Sequence, residues 1–264
     1  MLECPRLTLS QAFYMEGTAH GTGIHIALAA EKLGEFFGLP ITNTLITSWI
    51  VVALLLVLSF LIGRNLKLIP GKLQTLVEAV FVYIYDYISE TLESKKLARR
   101  FFPLLVTIFL FVFTANILEF TPGIGSLGFI SHGEFLPLFR SVNTDLNVTL
   151  ALSIIAFFVI QMTGILTLGA LKYGSKFVNF RSPMSFFIGI IELFSEMARL
   201  VSFSFRLFGN IFAGEVLILV VAFFVPYLLP VPLMLFEVFV GFIQAAIFAL
   251  LTLFFIKIAI AEPH

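Results

Sequence analysis

Apolar residues run along this chain in long blocks instead of alternating with polar ones, and the blocks are longer than the core of a soluble domain needs. Five of them, approximately 45–63, 102–120, 146–171, 185–223 and 233–260, are long enough to cross a hydrocarbon layer about 30 Å thick, which takes about 20 helical residues. Between the first two lies 73–93, LQTLVEAVFVYIYDYISETLE, which is periodic in apolar residues but interrupted by Glu78, Asp86, Glu90 and Glu93. Its longest uncharged run, 79–85, is too short to span. That pattern predicts an amphipathic helix lying along the membrane surface. The fold class expected is an all-α integral membrane protein of five transmembrane helices plus this surface helix, forming one membrane domain over 1–264.

The fourth and fifth blocks are unusual in length. At 1.5 Å per residue the run 185–223 measures nearly 60 Å, about twice the hydrocarbon thickness. Its ends are themselves apolar, so a strong tilt is the expected relief. Pro226, Pro230 and Pro232 then break the chain, which makes the last two spans a tilted antiparallel hairpin. Composition agrees with lipid as the solvent: 59% of residues are apolar and 12% charged, against about 25% charged in soluble domains. With a formal net charge of zero, no basic excess points to nucleic acid. The single Cys4 has no partner for an internal disulfide or a metal site, and no metal or cofactor is expected. The segment 1–44 has no basic start followed by an apolar run, so the first span is expected to direct insertion. Within it, HIALAAEKLGEFFG is amphipathic, and His20 and His25 alone do not make a metal site.

Basic residues set an expected orientation. The connection 64–101 holds seven Lys or Arg, 172–184 holds Lys172, Lys176 and Arg181, and the other connections hold only Arg140. By the positive-inside rule the two basic connections are cytoplasmic, which leaves 1–44 outside, the 73–93 helix on the cytoplasmic side and the C-terminus inside. Trp49, near the outer end of the first span, suits an interfacial position.

Against this apolar background the ionisable residues of 185–225 stand out: Glu192, Glu196, Arg199, Arg206 and Glu215. A charge near the bilayer centre costs from about 3 to more than about 10 kcal/mol, so such residues commonly mark ion pathways. Arginine stays protonated, which makes Arg206 a fixed cation. At 100° per residue, Glu192, Arg199 and Arg206 fall within about 40° of one another, with Ser202, Asn210 and Glu196 beside them, while Glu215 points about 180° from Arg206. In the last span Glu237 and Gln244 share a face with Gly241 between them. The polar groups therefore divide into an inner cluster (Glu192, Ser195, Glu196, Arg199, Ser202) and an outer one (Asn116, Glu119, Asp145, Glu215, Glu237, Gln244), with Arg206 between.

Two half-pathways that do not join fit this division. A continuous wire of titratable groups would dissipate the membrane potential, worth about 2.3 kcal/mol per charge per 100 mV. A guanidinium at the junction repels cations while attracting a carboxylate, and because no acid of this chain sits opposite Arg206 in the sequence pattern, that carboxylate belongs to another subunit. Plainer roles compete: Arg206 as a structural counter-ion, Arg199 with Glu192 or Glu196 as an ion pair, Asn116 and Asn210 as inter-helix hydrogen bonders, and Gly241 with Ala245 as a packing stripe. A proton-coupled secondary transporter is the alternative function class. Such folds commonly show two related halves with broken helices at corresponding positions, and the sequence shows neither.

RLFGNIFAGE, from Arg206 to Glu215, resembles the signature of subunit a of F-type ATP synthases. The resemblance extends to LMLFEVFVGFIQAAIF with Glu237 and Gln244, to FTANILEFTP with Asn116 and Glu119, to DLNVTLAL from Asp145 and to ITNTLITSW, and so covers most of 41–260. It implies an ion-conducting stator subunit that is not itself catalytic, whose last two helices pack against a rotating ring of c subunits. The other implied partners are peripheral-stalk b subunits, the catalytic head at a distance and the lipid of a bacterial-type inner membrane. By resemblance Arg206 releases the proton from each arriving ring carboxylate and blocks direct leak, and Asn210 orients groups near it. Glu215, Glu237, Gln244, Asn116 and Glu119 would then line the outer half-channel, and Glu192, Ser195 and Glu196 the inner one. Many members of that family carry a histidine at one of the positions of Glu215 and Glu237. Acids at both leave H⁺ or Na⁺ open as the coupling ion.

Overall fold

A computed structural model describes residues 31–36, 39–64, 66–67, 70–120, 128–131, 134–137, 139–174, 183–225 and 228–261. Seven helices follow in order: α1 (Asn43–Arg64), α2 (Lys72–Leu92), α3 (Lys95–Glu119), α4 (Leu146–Leu168), α5 (Ala170–Gly174), α6 (Pro183–Phe224) and α7 (Pro230–Ile260). Five of them (α1, α3, α4, α6 and α7) are long and apolar enough to cross a membrane, so the chain is a multi-pass membrane protein. They lie where the five apolar blocks are. The last two run for 42 and 31 residues without a break. A straight helix of 42 residues measures about 63 Å, so only an oblique path keeps its apolar length in a layer about 30 Å thick.

Side-chain chemistry sets the helix ends. Ser94 caps α3 by accepting a hydrogen bond from the Leu97 amide, and Asp145 caps α4 by accepting from the Asn147 amide. Pro230 opens α7 at its first position, where the missing N–H is not needed. Two boundaries differ from the sequence pattern. The helix containing the second apolar block starts at Lys95, because the Ser94 cap carries the basic run into its first two turns. The third block does not continue to 171. Gly169 adopts φ +85°, ends α4, and turns the chain into the short α5. In addition, Lys32–Phe36 of the amphipathic N-terminal run forms strand β1, paired antiparallel with β2 (Leu39–Thr42), and β3 (Gly128–Ser131) pairs with β4 (Glu134–Pro137) between α3 and α4. His20 and His25 lie outside the described residues.

α7 is the central helix, packing on α3, α4 and α6, while α1 packs on α3 at the periphery. One core joins α2, α3, α4 and α7 through Ile88, Leu92, Phe101, Leu105, Ile160, Leu253 and Ile256. The helix α2 is thus anchored to the bundle by its C-terminal half, and Leu76, Val80, Val82 and Tyr83 remain exposed on it. A second core joins α3, α4, α6 and α7 through Ile108, Val112, Ala156, Phe203, Leu207, Ile211, Ala245 and Phe248. Trp49 is 71% exposed on α1.

Candidate functional site

The first polar cluster is built around the segment 139–145, which enters the bundle instead of staying above it. Two threonines of α1 hold it there: Thr47 Oγ1 accepts from the Arg140 amide at 3.3 Å, and Thr44 Oγ1 donates to Asp145 Oδ2 at 2.8 Å. Ser141, Asn143 and Thr144 are consequently buried. Ser141 Oγ donates to Glu119 Oε2 at 2.8 Å, Asn143 Nδ2 donates to Asn116 Oδ1 at 2.6 Å, and Asn116 Nδ2 donates to the Gly241 carbonyl at 3.0 Å. The buried cation Arg140 acts electrostatically on both Glu119 and Glu215, and Thr144 hydrogen-bonds Glu215. Glu237, on α7, fills the space above Gly214: a Cβ there would lie 2.2 Å from its carboxyl carbon. Glu215 Oε2 and Glu237 Oε1 are buried with no hydrogen-bond partner among the described residues.

The second cluster joins α4, α5, α6 and α7. Arg199 Nη1 donates to both carboxylate oxygens of Glu196 at 2.9 Å, and Gln161 Nε2 donates to Glu196 Oε2 at 2.9 Å. The Arg199 guanidinium lies 4.1 Å from the Phe255 ring centroid, a cation–π contact. Tyr173 Oη donates to Gln161 Oε1. Glu192 is half-buried and contributes its charge near Tyr173.

Between the clusters lies the apolar core of Phe203, Leu207, Ile211, Phe248 and their neighbours. Among the described residues, the polar contacts between helices in this zone include a hydroxyl pair, Thr149 with Ser204 at 3.2 Å, and the bond from Gln244 to the Arg206 carbonyl. Arg206 is on the outer surface of this zone. It is exposed, its side chain bonds only Ser202 Oγ, at 3.4 Å, and among the described residues it forms no ion pair. Along α6 it stands ten residues after Glu196 and nine before Glu215, an axial offset of about 15 Å and about 13 Å.

The structure therefore brings together Asn116, Glu119, Glu215 and Glu237, with Asp145 tied to their supporting segment. Gln244 sits apart from them, beside Arg206, donating to its carbonyl at 3.3 Å. The single stripe expected on α6 divides: Glu196 turns into the bundle with Glu192 and Arg199 part-buried, whereas Ser202, Arg206 and Asn210 face out, as does Ser195. Helical phase alone cannot make this distinction, because which side of α6 meets α4 depends on tertiary packing. Arg140, Ser141, Asn143, Thr144, Gln161 and Tyr173 were not singled out from the sequence as site residues. The available signal for the first four was a run of polar residues, RSVNTD, leading directly into an apolar block. Among the described residues no group of three His, Cys, Asp or Glu side chains is arranged to hold a metal ion.

A family model described as ATP synthase A chain matches residues 45–257. Curated relatives include ATP synthase subunit a 3 of Pelobacter propionicus, 35% identical over 219 residues, covering 82% of this chain and 87% of the relative. ATP synthase subunit a of Geotalea daltonii is 34% identical over 220 residues, with coverage of 82% and 87%. ATP synthase subunit a of Moorella thermoacetica is 34% identical over 218 residues, with coverage of 83% and 90%.

Proposed function

This chain belongs to the ATP synthase subunit a family, and we propose on that footing that it is the ion-conducting, non-catalytic stator subunit of an F-type ATP synthase, with two offset half-channels serving a rotating ring of carboxylates. The observation that carries the reading is Arg206: a permanent cation on a membrane span, directed outward and in no ion pair among the described residues. A guanidinium facing hydrocarbon is too costly to persist, so its natural counterpart is an acid on a neighbouring subunit. The exposed apolar surface around it, including Val201, Phe205 and Leu217, is the kind of surface another membrane subunit covers.

The half-channels are the two clusters. Glu119, Glu215 and Glu237, with Asn116 and the Arg140–Asp145 segment, form the outer one. The unpartnered oxygens of Glu215 and Glu237 are sites that a water molecule or a proton in transit would satisfy. Glu196, Glu192 and Ser195 serve the inner one. The Phe203, Leu207 and Phe248 layer keeps the two apart within this chain, so transfer between them proceeds by way of the ring carboxylate passing Arg206. Gln244 supports the Arg206 backbone and Asn210 lies one turn further along the same outward face. In this arrangement the N-terminal segment is outside, the C-terminus is cytoplasmic in a bacterial-type inner membrane, and the b subunits and catalytic head complete the complex.

The test is Arg206→Ala in the assembled complex. ATP-driven proton pumping by inverted membrane vesicles is expected to be lost, while the subunits are retained in the membrane at wild-type levels. Pumping at the wild-type rate would overturn the reading.

A further inference from the structure

Three separate features of the chain converge on Tyr173, which the function as proposed does not use. Gly169, at φ +85°, reverses the backbone at the end of α4, and its carbonyl accepts the Tyr173 amide at 2.9 Å. That turn folds Tyr173 back against α4, where only 4% of it is exposed. The ring lies on Gly164: a Cβ at that position would come within 2.3 Å of the Tyr173 ring carbon Cε2, so no larger residue fits beneath it. The phenol then reaches Gln161 Oε1, one helical turn before Gly164.

This last bond has a consequence for Glu196. The Gln161 amide has one acceptor and one donor end, and the Tyr173 hydroxyl occupies the acceptor. The –NH₂ is thereby forced toward Glu196 Oε2, to which it donates at 2.9 Å. Burial, and then the negative charge of Glu196, push the Tyr173 phenol up to about 12, so it remains a proton donor throughout the working range of pH. Among the described residues, the charged or titratable groups around Glu196 include Arg199 and Glu192 on its own helix and Tyr173 on α5, with Gln161 from α4 and the Phe255 ring from α7 beside them.

We propose that Tyr173 is a positioning residue for the inner half-channel: by locking the orientation of the Gln161 amide, it keeps a hydrogen-bond donor on Glu196 and so sets the pH on that side at which the ion is released. This rests on the reading of Glu196 as part of the inner path. Without the hydroxyl, the amide is free to turn its oxygen toward the protonated carboxyl and accept its hydrogen. The proton on Glu196 is then held by a new acceptor, and release to that side becomes harder.

The experiment uses the whole complex in vesicles with a voltage held constant, measuring ATP synthesis while the pH on each side is varied separately. Tyr173→Phe keeps the ring on Gly164 and removes only the hydroxyl. It is expected to move the midpoint of the inner-side pH profile upward by about half to one unit, the size carried by one hydrogen bond, with the outer-side profile unchanged. Gln161→Leu is expected to give a shift in the same direction, and the double variant no more than Gln161→Leu alone, because both act through one donor. An inner-side profile unmoved by either single variant while Glu196→Gln still alters it would overturn the role of Tyr173 and leave the inner path standing. Profiles moved equally on both sides would overturn it too, by showing general damage. An inner-side profile indifferent to Glu196→Gln would remove Glu196 from the path and the proposal with it.

Discussion

At the scale of single residues, burial separates groups that composition treats alike. Glu215 and Ser195 are both polar residues on α6, yet Glu215 is half-buried beside Arg140 and Thr144 with one carboxylate oxygen unpartnered, and Ser195 is exposed. Glu215→Gln should therefore reduce proton flux through the complex far more than Ser195→Ala, as measured by vesicle acidification at matched subunit content, and the reverse ranking would dissolve the division into two half-channels. The acids, the asparagines and Arg206 stand out in the sequence because an ionisable or strongly polar residue in an apolar block has so few inexpensive explanations. Arg140 does not. It lies between blocks, where cations are unremarkable, and only the hydrogen bonds from the 139–145 segment to Thr44 and Thr47 reveal that it is drawn into the bundle.

At the scale of elements, two glycines decide how closely helices carry their polar groups together. Gly214 of α6 faces the carboxyl of Glu237, and a methyl group there would meet the far end of a flexible side chain. Gly214→Ala should leave the fold largely intact and push the carboxyl aside, so flux falls while thermal stability of the complex changes little. Gly241 of α7 instead faces the Cβ of Asn116 at 2.9 Å, close to the backbone of α3. Gly241→Ala should separate the two helices, break the Asn116 bond to its carbonyl, and lower thermal stability by about 1–3 kcal/mol, the usual cost of overpacking. Comparing melting curves and flux for the two variants separates a displaced side chain from a displaced helix. The helices themselves were plain in the sequence, since 18 or more apolar residues between charged connections leave little choice. The end of α4 was not, because Gly169 is one of many glycines and its positive φ is imposed by the fold around it.

At the scale of the whole molecule, the proposed reading of the two clusters as two half-channels depends on what lies between them. The layer of Phe203, Leu207, Ile211 and Phe248 draws on α6 and α7 and is completed by Ile108, Val112 and Ala156 from α3 and α4, so no single element contains it and no periodicity in one helix announces it. Its job in a rotary arrangement is to be dry, because an uninterrupted polar path inside this chain would conduct without turning anything. Leu207, 1% exposed, belongs to it, one residue from Arg206 but turned into the bundle where Arg206 is exposed. Leu207→Ser adds a hydroxyl near the Thr149–Ser204 pair and opens space beside it, which is room for water when polar partners are at hand. Passive proton leak through vesicles carrying the Leu207→Ser complex should rise several-fold, and should stay high when the ring is immobilised by blocking the catalytic head, whereas leak through the Arg206→Ala complex would follow the ring-facing route. A Leu207→Ser complex as tight as wild type would mean that the separation is kept by Arg206 alone, and that the apolar layer serves only to pack the helices.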